Sequence, residues 1–269
     1  MDFRGKVAVI TGAGAGIGQA TAREFSRRHA AVAVVDRDTK TGPETAEELR
    51  QAGGVAEFFR ADISKTAEVE RAITRIVARL GGIDVLVNNA GIQRYGTVTT
   101  TSEEVWDEVM SVDLKGAFLM SKYAIPEMLK RGGGAIVMTG SVQTLGALVN
   151  STAYVVAKHA LLGLTRSMAL DYARQNIRVN CVCPGAIDTP MLRWSASLSE
   201  NPEKVLEACN RLHPIGRMGR PEEVARLIVF LASDLASFIT GDAVAVDGGL
   251  LIAIGGTGFQ ESGTASSRE

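Results

Sequence analysis

The chain has 269 residues, enough for one large α/β domain or two smaller domains. Hydrophobic residues make up 46% of it, and 29 basic side chains stand against 30 acidic ones, a net charge of −1. Nucleic acids and anionic membranes both require an excess of Lys and Arg in a protein partner, so neither is expected as the main partner.

Targeting and metal-binding signals are missing from the sequence pattern. The N-terminal residues lead directly into a strand-like segment without the apolar core of a signal peptide, and no apolar run approaches the ~20 residues that span a membrane. The cysteines (Cys181, Cys183 and Cys209) fit neither a disulfide framework nor a zinc motif, and the histidines lack metal-ligand spacing. The pattern predicts a cytoplasmic protein with free thiols and no metal.

Seven short runs rich in Val and Ile alternate with longer stretches that have the periodicity of amphipathic helices. The runs cover residues 7–10, 31–35, 55–59, 85–87, 135–139, 177–182 and 243–246. Near-continuous apolarity is typical of strands buried on both faces of a parallel sheet. The alternation predicts a doubly wound α/β fold with helices on both faces, in which ligands bind beyond the carboxyl ends of the strands.

The chain is expected to form one dinucleotide-binding domain over residues 1–254, because no linker interrupts the alternation. Residues 188–216 carry three prolines among scattered apolar residues, which suggests a lid over a binding site. Residues 255–269 are rich in Gly, Ser and Thr and are expected to form a flexible tail.

A glycine-rich loop follows the first run. It reads Thr-Gly-Ala-Gly-Ala-Gly-Ile-Gly over residues 11–18 and fits the pattern T-G-x-x-x-G-x-G, whereas G-x-G-x-x-G does not fit. Glycines allow a close approach of the backbone, and the N–H groups at the start of the next helix attract an anion. The loop therefore predicts a site for the diphosphate of a dinucleotide.

The second run ends in Asp36, which bears on the choice of dinucleotide. A carboxylate at this place accepts hydrogen bonds from ribose hydroxyls and repels a 2′-phosphate, so NAD is the expected cofactor. The neighbouring Arg37 would attract that phosphate, so NADP remains the alternative.

Tyr154 and Lys158 are spaced by four residues within a helix-patterned stretch, and Ser141 follows the fifth run. Residues at i and i+4 share one helix face, so the ammonium is expected to lie beside the phenol and to lower its pKa. A tyrosine with a lowered pKa is a usable general base towards an alcohol. Alone, a Y-x-x-x-K spacing more often marks a surface helix pair.

Taken in order, these motifs resemble the short-chain dehydrogenase/reductase family. The set is T-G-x-x-x-G-x-G, N-N-A-G at residues 88–91, Ser141, Y-x-x-x-K and P-G-A-I-D-T at residues 184–189, and the resemblance covers about residues 6–249. It implies a Rossmann fold with a seven-stranded sheet, Tyr154 as acid/base, Lys158 on the nicotinamide ribose and Ser141 on the reacting oxygen. The expected cofactor-binding residues are Gly12, Gly16, Ile17, Gly18, Asp36, Asp62, Ile63, Asn89, Ala90, Gly91, Tyr154, Lys158, Pro184, Gly185, Ile187 and Thr189.

One position departs from the family pattern. The family usually has Asn in a V-N-x-x-G segment, where it supports a proton-relay water near the lysine, largely through its main chain; here the residue is Asp113. A main-chain role would survive this exchange, whereas a role of the side-chain amide would not, and a carboxylate would raise the pKa of the lysine. The resemblance implies Asp113 as a fourth catalytic residue by its position, and the exchange bears on the proton relay and not on the reaction class.

The family does not fix the substrate. The expected lining residues are Gln93, Arg94, Ser141, Gln143, Tyr154, Met191 and Trp194. Side chains of this kind favour a monosaccharide, a polyol or a small hydroxy acid, oxidised at a secondary hydroxyl; Arg94 would bind a carboxylate or sulfonate if it is not merely solvated. The alternatives are an NADPH-dependent 3-oxoacyl or ketone reductase and a non-catalytic NAD(H)-binding sensor. The family also implies a homotetramer formed by pairing of the long central helices, near residues 103–129 and 154–173.

Overall fold

The computed structural model describes residues 1–253, so the predicted tail lies outside the described residues. The strands are β1 (Val7–Thr11), β2 (Ala31–Asp36), β3 (Ala56–Arg60), β4 (Val85–Asn88), β5 (Gly134–Thr139), β6 (Ile177–Pro184) and β7 (Ala243–Val246). The helices are α1 (Gly16–Ser26), α2 (Thr41–Gln51), α3 (Thr66–Leu80), α4 (Glu103–Val109), α5 (Gly116–Lys130), α6 (Thr152–Tyr172), α7 (Pro190–Ser197), α8 (Pro202–Leu212) and α9 (Pro221–Ala232).

All seven strands form one parallel sheet in the order β3-β2-β1-β4-β5-β6-β7. The prediction of a doubly wound Rossmann fold is therefore confirmed. The predicted runs match the strands to within a residue or two at each end. The direction of the crossovers reverses between β1 and β4, and the carboxyl ends of these two strands flank the crevice where such folds bind ligands.

The strands are buried on both faces, as their near-continuous apolarity indicates. In β1, Val7 and Val9 pack into a core with residues of α3, α5 and α6, whereas Ala8 and Ile10 pack into a second core with residues of α1, α2 and α9. This alternation follows from the period of two along a strand. Two helical layers therefore enclose the sheet and leave its carboxyl edge as the open side.

The predicted lid is helical. It contains α7 and α8, each of which begins with a proline in its first turn. Thr189 and Asn201 cap the two helices by accepting hydrogen bonds from backbone N–H groups. None of the helices within residues 1–253 is both long and apolar enough to cross a membrane.

Candidate active site

The glycines of the glycine-rich loop pack so closely against neighbouring backbone that a side chain at these positions would not fit. A Cβ on Gly12 would lie 2.9 Å from Cα of Ala90, and a Cβ on Gly18 would lie 2.1 Å from the carbonyl oxygen of Gly12. The N-cap residue of helix α1, Ala15, provides no side-chain cap, so the first N–H groups of the helix remain available to an anion. This cradle fits the diphosphate of a nicotinamide dinucleotide.

Polar side chains at the ends of β1 and β4 hold the loop in place. The buried Thr11 hydroxyl accepts hydrogen bonds from the N–H groups of Asn89 and Ala90, both at 3.0 Å. The Asn89 amide donates to the carbonyl oxygens of Thr11 and Gly12 at 3.0 and 3.3 Å. Thr11 was not among the predicted site residues, although its place in the T-G-x-x-x-G-x-G motif was a usable signal.

Asp36 lies beside the loop, at the end of β2. Its carboxylate accepts hydrogen bonds from the N–H groups of Gly14 at 2.9 Å and Asp38 at 3.0 Å. A neighbouring cavity of about 400 Å³ is lined by charged and polar side chains, namely Arg37, Asp38, Thr39, Arg60, Asp62, Lys65 and Glu68. Of the expected cofactor-binding residues, Asp62 lies on this cavity, whereas Ile63 is buried against Gly116.

The segment after β6 contacts the glycine-rich loop through Thr189 and Gly16. A Cβ on Gly16 would lie 3.2 Å from Cγ2 of Thr189, and one on Gly185 would lie 2.6 Å from Nε2 of His213. The His213 ring accepts a hydrogen bond from the Ala186 N–H through Nε2 at 3.0 Å and donates from Nδ1 to a carbonyl oxygen of α8 at 2.8 Å. Since both ring nitrogens are used, buried His213 joins α8 to the strand end, a role that sequence reasoning missed.

Ser141, Tyr154 and Lys158 converge at the carboxyl end of β5, and all three are buried, with exposed fractions of 9%, 8% and 3%. Ser141 follows β5, where the N–H group of Gln143 donates to its hydroxyl oxygen at 3.1 Å. The Ser141 hydroxyl hydrogen can therefore be donated to the Tyr154 phenol oxygen or to a substrate oxygen. The Lys158 ammonium donates to the carbonyl oxygen of Thr139 at 3.1 Å and lies 5.2 Å from the centre of the Tyr154 ring.

The electrostatics of Tyr154 differ from the expected lowering of its pKa. Burial raises the pKa of the phenol above its usual value; Lys158 and the Ser141 hydroxyl lower it, and the Asp113 carboxylate raises it further. The ammonium does act in the expected direction. Sequence spacing cannot show the depth of burial, and burial outweighs the ammonium.

The Asp113 carboxylate lies beside the Lys158 ammonium group. It belongs to a π-helical segment, Met110–Lys115, between α4 and α5. One carboxylate oxygen accepts a hydrogen bond from the Ile92 N–H at 2.8 Å, and the other lies 3.4 Å from the Lys158 ammonium nitrogen. Asp113 thus joins the lysine to the loop after β4.

The expected substrate-contacting residues come from three loops. Arg94 donates two hydrogen bonds to Glu108, at 2.9 and 2.7 Å, and its guanidinium lies 5.8 Å from the centre of the Trp194 ring. Binding of a substrate carboxylate by Arg94 would therefore require this ion pair to open. The hydroxyl groups of Tyr95 and Ser195 are hydrogen-bonded, which gives a second contact between this loop and α7.

The remaining expected lining residues leave polar groups available. Gln143 has a buried side-chain oxygen with no hydrogen-bond partner among the described residues. Met191 and Trp194 are 36% and 42% exposed. The Gln143 amide and the Ser141 hydroxyl are thus groups that a hydroxylated substrate could satisfy.

Comparison with known proteins assigns this arrangement to a family. A family model described as enoyl-(acyl carrier protein) reductase matches residues 12–251. The chain belongs to the short-chain dehydrogenase/reductase family. The members of this family are oxidoreductases that use nicotinamide cofactors, so the resemblance read from the motifs is confirmed.

Three relatives illustrate the range of activities. The chain is 42% identical to 2-(S)-hydroxypropyl-CoM dehydrogenase 3 of Xanthobacter autotrophicus, covering 92% of this chain and 97% of that protein. It is 38% identical to the 3-oxoacyl-[acyl-carrier-protein] reductase of Thermotoga maritima, with 94% and 100% covered. The structure of Thermoplasma acidophilum aldohexose dehydrogenase matches with a TM-score of 0.85 and 39% identity, covering 93% of this chain and 96% of that one.

Proposed function

We propose that the chain is an NAD-dependent dehydrogenase that oxidises a secondary alcohol or a sugar hydroxyl to the carbonyl compound or lactone. The observation that carries the proposal is the convergence of Ser141, Tyr154 and Lys158, all buried, beside the glycine cradle. A protein that only binds a dinucleotide needs no such set. Dehydrogenases of a hydroxypropyl compound and of aldohexoses among its relatives favour an alcohol substrate.

In the proposed mechanism, Ser141 donates a hydrogen bond to the substrate hydroxyl oxygen and holds it near Tyr154. The Tyr154 phenolate takes the hydroxyl proton, the carbon–hydrogen bond breaks with its electron pair, and the carbon–oxygen double bond forms. Lys158 favours the phenolate through its positive charge. When bound, the nicotinamide cofactor supplies the hydride acceptor. Position and electrostatics are the contribution of the protein.

The catalytic assignment is tested with Tyr154→Phe. The variant keeps the ring and its packing but has no proton acceptor, so turnover should fall by about two to four orders of magnitude, while NADH binding, measured by fluorescence, should change little. Undiminished turnover would contradict the role of Tyr154. A panel of sugars, polyols, hydroxy acids and simple secondary alcohols would identify the substrate class, and bound NAD without turnover on any of them would favour the sensor.

The preference for NAD is supported by Asp36, whose carboxylate is fixed by two backbone N–H groups beside the loop. Asp36→Asn should remove the repulsion of a 2′-phosphate and improve the KM for NADP relative to NAD by about tenfold or more. Asp38→Asn is the matched control, because it removes an equal charge two residues further on. An equal effect of both variants would remove the case for Asp36.

The NADPH-dependent ketone reductase remains a second candidate on a specific observation. Arg37 and Arg60 line the cavity next to β2 and β3, and neither has an ion-pair partner among the described residues. They would attract a 2′-phosphate, and a 3-oxoacyl reductase is among the relatives. A lower KM for NADPH than for NADH in the wild-type protein would favour this candidate.

A further inference from the structure

The π-helical segment Met110–Lys115 carries a carboxylate into the interior of the protein. Asp113, within it, is 1% exposed. A π turn contains one residue more per hydrogen-bonded ring than an α turn, so it changes the direction in which the following side chains point, and such turns are frequent at functional sites. The two flanking helices are α-helical, so the irregularity is confined to the residues around Asp113.

The carboxylate lies between two parts of the site. Its first oxygen accepts a hydrogen bond from the Ile92 N–H. Its second oxygen has no hydrogen-bond partner within residues 1–253 and lies 3.4 Å from the Lys158 ammonium nitrogen. A Cβ on Gly91 would lie 3.1 Å from that second oxygen and 3.3 Å from the lysine nitrogen. The charge pair is thus packed directly against the loop after β4.

Few other charges act on this pair. Tyr154 acts on Lys158 from α6 and the Cys181 thiol acts on it from β6, while Arg94 acts on Asp113 from the loop after β4. Tyr95, in the same loop, acts on Tyr154. The Arg94 guanidinium is paired with Glu108. Burial raises the pKa of Asp113 and Lys158 opposes this, while the carboxylate raises the pKa of both Lys158 and Tyr154.

We propose that Asp113 is a positioning residue that offsets the positive charge of Lys158 and thereby sets the pH at which Tyr154 becomes a base. The inference rests on the proposed function. A neutral side chain at this position would leave the ammonium uncompensated, and the phenolate would form at lower pH. Asp113 thus shifts the pH range in which the alcohol is oxidised to more alkaline values. It also keeps more of Tyr154 in the phenol form, which is the proton donor for the reverse reaction, reduction of the carbonyl compound.

Asp113→Asn tests the proposal, because the amide oxygen still accepts the Ile92 hydrogen bond while the charge is lost. The absorbance of tyrosinate is followed as a function of pH in the cofactor-free protein, for this variant and for the double variant Asp113→Asn/Tyr154→Phe. The difference between the two titration curves is the contribution of Tyr154. We expect the Tyr154 transition about one pH unit or more below that of the wild type, because the variant removes a unit negative charge from the same buried site. In the pH profile of kcat/KM for alcohol oxidation, the rise on the acid side should move to lower pH in the same way. The value that kcat/KM reaches at alkaline pH should be largely retained.

Asp84→Asn is the matched control. Asp84 is 4% exposed and paired with Lys6 and Arg131, but it lies at the amino ends of the strands. Its loss should lower Tm without moving the tyrosinate transition. If Asp113→Asn does not fold, Asp113→Ser is titrated in its place.

Three results would overturn the proposal: an unmoved Tyr154 transition, a transition at higher pH, or complete inactivation of a folded Asp113→Asn protein. The last would mean that the carboxylate is essential to the chemistry itself. The spectroscopic titration needs no substrate, so the absence of turnover on every compound would refute the proposed function while leaving the test of Asp113 intact.

Discussion

Replacement of Gly18 by Ala tests how closely helix α1 must pack against the cofactor loop. The added Cβ would lie 2.1 Å from the carbonyl oxygen of Gly12 and 2.6 Å from the Asn89 amide nitrogen. Since ordinary contacts between heavy atoms lie near 3.5 Å, α1 would have to move outward by about 1 Å. The Asn89 amide would also lose its hydrogen bonds to Thr11 and Gly12.

The expected cost can be estimated. Overpacking of a rigid site costs about 1–3 kcal/mol, and the backbone atoms here cannot rotate away, so we expect a value near ~2 kcal/mol. For a chain of this size that lowers Tm by roughly 4–8 °C. Displacement of the helix N-terminus should weaken one or more hydrogen bonds to the diphosphate and raise the Kd for NADH about tenfold or more.

Thermal unfolding followed by circular dichroism and a fluorescence titration with NADH measure both effects. Gly146→Ala is the matched control, because its Cβ would meet only ordinary contacts at 3.7 and 3.8 Å. If Gly18→Ala left both Tm and the NADH Kd within the range of the control, the close packing of α1 on the loop would not be required for either property.

Three further results are expected. Because the pKa of Tyr154 is raised, the phenolate fraction grows through the alkaline range, so alcohol oxidation should accelerate there while carbonyl reduction should be faster at lower pH. Initial rates in both directions check this, and the opposite order would contradict the role of Tyr154. His213→Phe leaves the Ala186 N–H without its acceptor and should cost about 1–3 kcal/mol of stability and weaken NADH binding, and an unchanged Tm would show that this bond is dispensable. The homotetramer that the family resemblance implies predicts that Phe118, which is 46% exposed on α5, is covered by another copy. Phe118→Arg should then lower the mass measured by light scattering, and an unchanged mass would exclude this face.

The sequence was sufficient for the features that depend on local periodicity. The strand bounds and the shared helix face of Tyr154 and Lys158 follow from repeats of two and of about four residues. The glycine loop was recognisable because only residues without side chains permit such close contact between β1, α1 and the end of β4. These features are encoded within a few residues of where they appear.

Features that depend on tertiary contacts could not be predicted in this way. The direction of the Tyr154 pKa depends on burial and on Asp113, which is 41 residues earlier in the chain. The pairing of Arg94 with Glu108 depends on how α4 packs beside the loop after β4. No motif predicts the structural role of His213, because its hydrogen-bond partner Ala186 is 27 residues earlier in the chain.

The ion pairs Arg94–Glu108 and Lys158–Asp113 indicate which class of substrate the active site can bind. The ion pair with Glu108 uses the two-nitrogen fork of Arg94 that would otherwise bind a carboxylate, and the guanidinium also makes a cation–π contact with Trp194 of α7. The Lys158 charge is likewise matched by Asp113. With both cations paired, the polar groups offered to a substrate include the uncharged hydroxyls of Ser141 and Tyr154 and the Gln143 amide, whose buried oxygen has no partner among residues 1–253. A neutral hydroxylated compound satisfies these groups without opening an ion pair, which favours an alcohol or a sugar over a hydroxy acid.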